Sequence, residues 1–111
     1  MPTTKEIFEK IGNVLKEDPS RTGGLEAIYQ FNLTGDDAAV YQIILGGGQA
    51  EVQEGEKEAP NCTLHLAAED FKQMVEGNLN GTAAFMSGRL KVEGDLGLAM
   101  RLESVLSAYS A

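Results

Sequence analysis

The run Phe85-Met86-Ser87-Gly88-Arg89-Leu90-Lys91-Val92-Glu93-Gly94-Asp95-Leu96-Gly97-Leu98-Ala99-Met100-Arg101-Leu102 constrains this chain most. Gly88 suits the left-handed residue that closes a helix, so a short helix ends there. Arg89 to Glu93 is too short for a helix and alternates, with Leu90 and Val92 on one side and three charged residues on the other. Gly94 breaks that strand, and Asp95 is a good N-cap for a second helix. In this last helix Leu98, Leu102, Val105, Leu106 and Tyr109 recur at helical spacing, while Leu96 and Met100 form a second apolar edge. A helix apolar over so much of its circumference must touch more than one thing. Packing on a sheet accounts for one edge. The other either completes the core or borders a ligand cavity.

Upstream, the period changes twice. Thr3 and Glu6 form a capping box, and Ile7, Phe8, Ile11, Val14 and Leu15 make one amphipathic helix ending before Pro19. Pro19 to Gly24 reads as a loop. From Leu25 the period is two. Ala27, Tyr29, Phe31 and Leu33 share one face, and Ile28, Gln30 and Asn32 the other. A second strand runs from Ala39 to Leu45 and a third from Gln49 to Gln53, joined by turns at Thr34–Asp37 and Gly46–Gly48. Three strands with short turns argue for an antiparallel meander. Glu54 to Pro60 is an exposed acidic loop. Cys62, Leu64 and Leu66 alternate in a fourth strand, and Ala68 to Glu76 is a helix closed by Gly77. Thr82 is the expected cap of the short helix ending at Gly88. The order α-β-β-β-β-α-α-β-α predicts an α+β layer: a five-stranded, mostly antiparallel sheet with helices packed on one face.

The 111 residues fit one domain, 1–111. The net charge of −8 disfavours nucleic acid, which needs a basic footprint. It also disfavours steady attachment to anionic membranes while permitting brief contact. One cysteine allows no internal disulfide. With no apolar leader, no bilayer-spanning run and no Ser-Lys-Leu ending, a cytoplasmic protein is the simplest expectation.

No catalytic constellation stands out. His65 is the sole histidine and, by alternation, faces away from Leu64 and Leu66; it reads as an ordinary surface or partly buried side chain. Cys62 lies on the apolar face, where it acts as a small hydrophobe. Gly46-Gly47-Gly48 lacks the Lys-Ser/Thr pair and helix of a phosphate loop. One Cys and one His cannot supply a usual zinc site. The expectation is therefore no catalytic residue, no metal and no cofactor.

The Phe85–Leu102 run resembles the signature of the sterol carrier protein type two family, a small lipid-binding domain. Ala59-Pro60-Asn61-Cys62-Thr63-Leu64 resembles that family's Pro-Asp-Cys-Thr segment, and Glu69-Asp70-Phe71 with Gly77-x-Leu79 its next helix and loop. The resemblance implies a hydrophobic tunnel between sheet and helices. It also implies non-enzymatic binding and transfer of fatty acids, acyl-coenzyme A esters, phospholipids or sterol-like molecules. The residues expected to line the tunnel are Phe71, Met74, Val75, Leu79, Phe85, Met86, Leu96, Leu98, Met100 and Leu102. Three of the four methionines (Met74, Met86, Met100) fall in this region, and methionine adapts to irregular shapes. The alternative is a filled, ligand-free scaffold that docks on a partner protein or on itself as a homodimer.

Overall fold

The computed structural model describes residues 2–110; Met1 and Ala111, the ends of the expected domain, lie outside them, as does the side chain of Ser110. Helix α1 spans Thr4–Glu17. Both halves of its capping box form: the Thr3 hydroxyl accepts from the Glu6 amide and the Glu6 carboxylate from the Thr3 amide, each at 3.1 Å. Pro19–Thr22 is a 3-10 helix, not the open loop expected. Pro19 pre-sets the backbone of its first turn, and Gly23, with φ 63°, ends it in the left-handed region.

The sheet contains β1 (Ala27–Thr34), β2 (Ala39–Gly46), β3 (Gln49–Glu54), β4 (Cys62–Ala67) and β5 (Lys91–Gly94), in the order β3-β2-β1-β4-β5. The meander holds: β1 pairs antiparallel with β2, and β2 with β3. The chain then crosses so that β4 lies parallel to β1, with β5 antiparallel on its far side. Helices α2 (Ala68–Val75), α3 (Gly81–Met86) and α4 (Leu96–Leu106) complete the layer.

One half of that layer is closed by rings. Phe8 stacks on Tyr41 at 4.3 Å and on Phe71 at 5.0 Å, and meets Phe31 edge-on at 5.3 Å. Gly12 lets α1 lie close on β3, since a Cβ there would stand 3.2 Å from Val52 Cγ2. The opposite face of the sheet holds a feature that alternation alone does not reveal. Gln42 is fully buried there. Its amide group donates to Gln30 Oε1 at 2.9 Å and to the Glu58 carbonyl at 2.7 Å, and its oxygen accepts from the Lys57 and Glu58 amides. The acidic loop after β3 is exposed on its outside but covers this polar seam. Satisfied partners make such burial tolerable, where an unpaired amide would cost about 1–3 kcal/mol.

Candidate functional site

The other half of the helical layer hangs from one corner. Asn61 bonds both ways to the backbone of β1: its side-chain oxygen accepts from the Ile28 amide at 2.8 Å, and its own amide donates to the Ile28 carbonyl at 2.9 Å. The Asn61 carbonyl then accepts from the Asp95 amide at 3.1 Å. Gly94 must be glycine for two reasons. Its φ is 94°, and a Cβ would stand 2.4 Å from the Asn61 carbonyl oxygen. Asp95 caps α4 by accepting from the Leu98 amide at 3.2 Å. From below, the Tyr29 hydroxyl donates to the Leu98 carbonyl at 2.6 Å. Four residues thus set where α4 starts and how it lies over the sheet.

Helix α3 is capped by Asn80, not by the expected Thr82. The Asn80 side chain accepts from the Thr82 amide at 2.7 Å and the Ala83 amide at 3.2 Å. Both residue types cap well and the helix is too short for periodicity to fix its start, so the sequence alone does not choose Asn80 over Thr82. Gly88, with φ 81°, then turns the chain so that the Arg89 and Leu90 amides donate back to the Ala84 carbonyl.

Between α3, β5 and α4 lies a pocket of about 250 Å³. Leu64, Leu90 and Leu102 are buried around it, with Val92 and Ala99 half-buried. Phe85, Leu96 and Met100 form its outer rim, respectively 47%, 54% and 80% exposed. Five of the ten residues anticipated from sequence therefore meet here: Met74, Phe85, Leu96, Met100 and Leu102. Met74 also lines an adjacent hollow of about 300 Å³ that contains Val75 and Leu79. The remaining three stand elsewhere. Phe71 is enclosed in the ring stack, Leu98 packs half-buried against the core, and Met86, 82% exposed, lies outside the pocket lining. Leu64, Leu90 and Val92 were legible as an inward face by alternation. Nothing in the sequence singles out Glu103, which lines both hollows.

A third hollow, of about 420 Å³, lies between α1 and the β2–β3 edge. Phe8, Tyr41 and Val52 line it together with Lys5, Glu9, Lys16 and Glu54, so its apolar wall is rimmed by four charges.

The polar groups near the pocket are quiet. Burial pushes the Tyr29 hydroxyl up to about 12 and the Cys62 thiol up to about 11, with the Asp95 carboxylate a smaller cause for both. A thiol so disfavoured as thiolate is a poor nucleophile. His65 Nε2 bonds to Glu93 across the β4–β5 pair, on the sheet surface away from the helices. Among the described residues no group of three or more His, Cys, Asp or Glu could hold a metal ion. No helix among them is long and apolar enough to cross a membrane.

The layer order defines an α+β fold, here with a small apolar pocket, and known proteins share the fold. The sequence pattern of the SCP-2 sterol transfer family matches residues 8–107, so the chain belongs to that family. Hydroxysteroid dehydrogenase-like protein 2 of Xenopus tropicalis is 34% identical over 108 residues, which cover 96% of this chain and 25% of that protein. The chain thus spans about a quarter of the length of this curated relative. Sterol carrier protein 2 from Yarrowia lipolytica, in an apo form, superposes with a TM-score of 0.81 at 27% identity, covering 93% of this chain and 88% of that one. Palmitated SCP2L2 from Aedes aegypti superposes at 0.72 with 25% identity, covering 96% of both chains.

Proposed function

We propose that this chain is a lipid-carrying module that takes an acyl chain into the pocket between α3, β5 and α4, without catalysing a reaction. Membership of a sterol transfer family supports lipid binding and transfer in general. The observation that carries the finer reading is the pocket itself: an aliphatic floor of Leu64, Leu90 and Leu102 under an exposed rim of Phe85, Leu96 and Met100. The palmitated relative shares this fold and supports an acyl ligand.

The energetics favour such a ligand. Burying one methylene is worth about 0.8 kcal/mol. A sixteen-carbon chain gains on the order of 12 kcal/mol gross, before ordering and association remove much of it. Affinity then needs no specific polar contact, and selectivity follows from the length and shape of the cavity. The raised Cys62 thiol and the paired His65 support a carrier rather than an enzyme.

Exposure of Phe85, Met86, Leu96 and Met100 also favours a second reading, self-association through the same face. Native mass spectrometry of freshly purified protein, with solvent extraction, separates the two. A monomer carrying a fatty acid or phospholipid mass is the expected result. A bare dimer that takes up no fluorescent fatty acid would replace the carrier reading with the second.

A further inference from the structure

The apolar pocket and the neighbouring hollow are separated by very little. Val75, Leu79 and Leu106 give the hollow an apolar wall. Met74 and Glu103 line both spaces and form the partition between them. They converge over Gly81. Glu103 Oε1 accepts from the Gly81 amide at 3.0 Å, and a Cβ built on Gly81 would stand 3.3 Å from that oxygen and 3.4 Å from Met74 Cε. The wall is therefore one unbranched thioether, one hydrogen bond from an exposed carboxylate side chain, and a residue with no side chain. Methionine has three rotatable bonds and moves easily. An exposed carboxylate can exchange its amide partner for water at little net cost. The surrounding side chains of Val75, Leu102 and Leu106 are buried and held. Separately, spaces of about 250 and 300 Å³ sit at or below the floor of ordinary ligand pockets, roughly 300–1,000 Å³; joined, they fall inside that range.

We propose that Met74, Gly81 and Glu103 form a displaceable partition, and that a long acyl chain passes it to place its terminal methylenes in the second hollow. This rests on the lipid-carrier reading. Gly81 is then the residue that sets the accepted chain length. Direction follows from charge. Glu76 borders the hollow but not the first pocket, and adds its charge there to that of the shared Glu103, so a carboxylate entering the hollow would meet the greater like charge. The methyl end enters, and the head group stays at the rim formed by Leu96 and Met100.

The test is displacement of a fluorescent fatty acid by a series from octanoate to stearate. In the unchanged protein, affinity should rise with length through the whole series. Gly81→Val narrows the passage at a position without positive φ. It should leave octanoate and decanoate within twofold and weaken palmitate and stearate at least tenfold. Met74→Ala should tighten stearate threefold or more. Equal loss of all chain lengths in Gly81→Val, or no loss, overturns the partition while leaving the carrier reading intact. Should Gly81→Val fail to fold by circular dichroism, unchanged stearate binding in Met74→Ala overturns it instead. Failure of the unchanged protein to bind any member of the series overturns both.

Discussion

Under α1 and α2, Phe8 lies flat between Tyr41 and Phe71 with Phe31 edge-on. Under α3 and α4, the same sheet presents Leu64 and Val92 to an open space of about 250 Å³. The two halves share one sheet and differ in what fills the gap. Rigid rings with many mutual contacts fill the space between them and make a closed core there, while the hollow of about 420 Å³ with a charged rim opens beside Phe8 and Tyr41 at the β2–β3 edge. Flexible Met74 and Met100 with small Ala99 make the second half adaptable. A closed core and an open apolar pocket are thus placed side by side in one layer.

That division can be attacked from both ends. The largest effect should come from the closed half. Phe8→Ala removes the central ring and should cost about 3–5 kcal/mol of stability, read by chemical denaturation. A loss under 1 kcal/mol, well short of that range, would mean the ring stack is not the main anchor. In the open half, Ala99→Trp should fill the pocket mouth. Palmitate affinity should fall at least tenfold, or about 1.4 kcal/mol, while the denaturation midpoint stays nearly unchanged. Unaltered affinity would move the ligand out of this pocket.

The boundary between the halves should show itself in alkali. Tyr29 and Cys62 are register partners on β1 and β4, held neutral by burial at about 12 and 11, against ordinary values of 10.0 and 9.0. Below about pH 8 both are essentially protonated folded and unfolded, so neither makes stability depend on pH. Between the ordinary and the raised values only the unfolded chain ionises, so stability should fall as pH rises through about 9 to 12. Tyr29→Phe should flatten the upper part of that slope. It should also cost about 1 kcal/mol at neutral pH, through the lost bond to the Leu98 carbonyl. The smallest effect belongs to the outer surface of α3. Met86→Ser should alter stability by no more than about 0.5 kcal/mol, as expected for a side chain 82% exposed.

Much of this arrangement was legible in the sequence because it is local. The Thr3–Glu6 box, the Asp95 cap and the alternation of β1 each depend on neighbours a few residues away. The second apolar edge of α4 was also legible: Leu96 and Met100 do not join the core but edge the pocket. What could not be read depends on distant partners. Gln42 looks like a solvent-facing strand residue until the loop after β3 folds across it. The parallel seat of β4 beside β1 comes from a crossover that no single segment encodes. Phe71 and Met74 share a helix, yet one enters the ring stack and the other the pocket wall, because the two halves meet along α2. Glu103 carries no motif; its role follows only from the approach of α3 to α4.

The most direct test of the division is isotope-filtered NMR of the protein with carbon-13-labelled palmitate. The account predicts ligand contacts to the methyl groups of Leu64, Leu90, Val92, Leu102 and Met100, and none to the rings of Phe8, Phe31 or Tyr41. Contacts centred on those rings, or saturable binding that leaves the pocket methyls untouched, would contradict it.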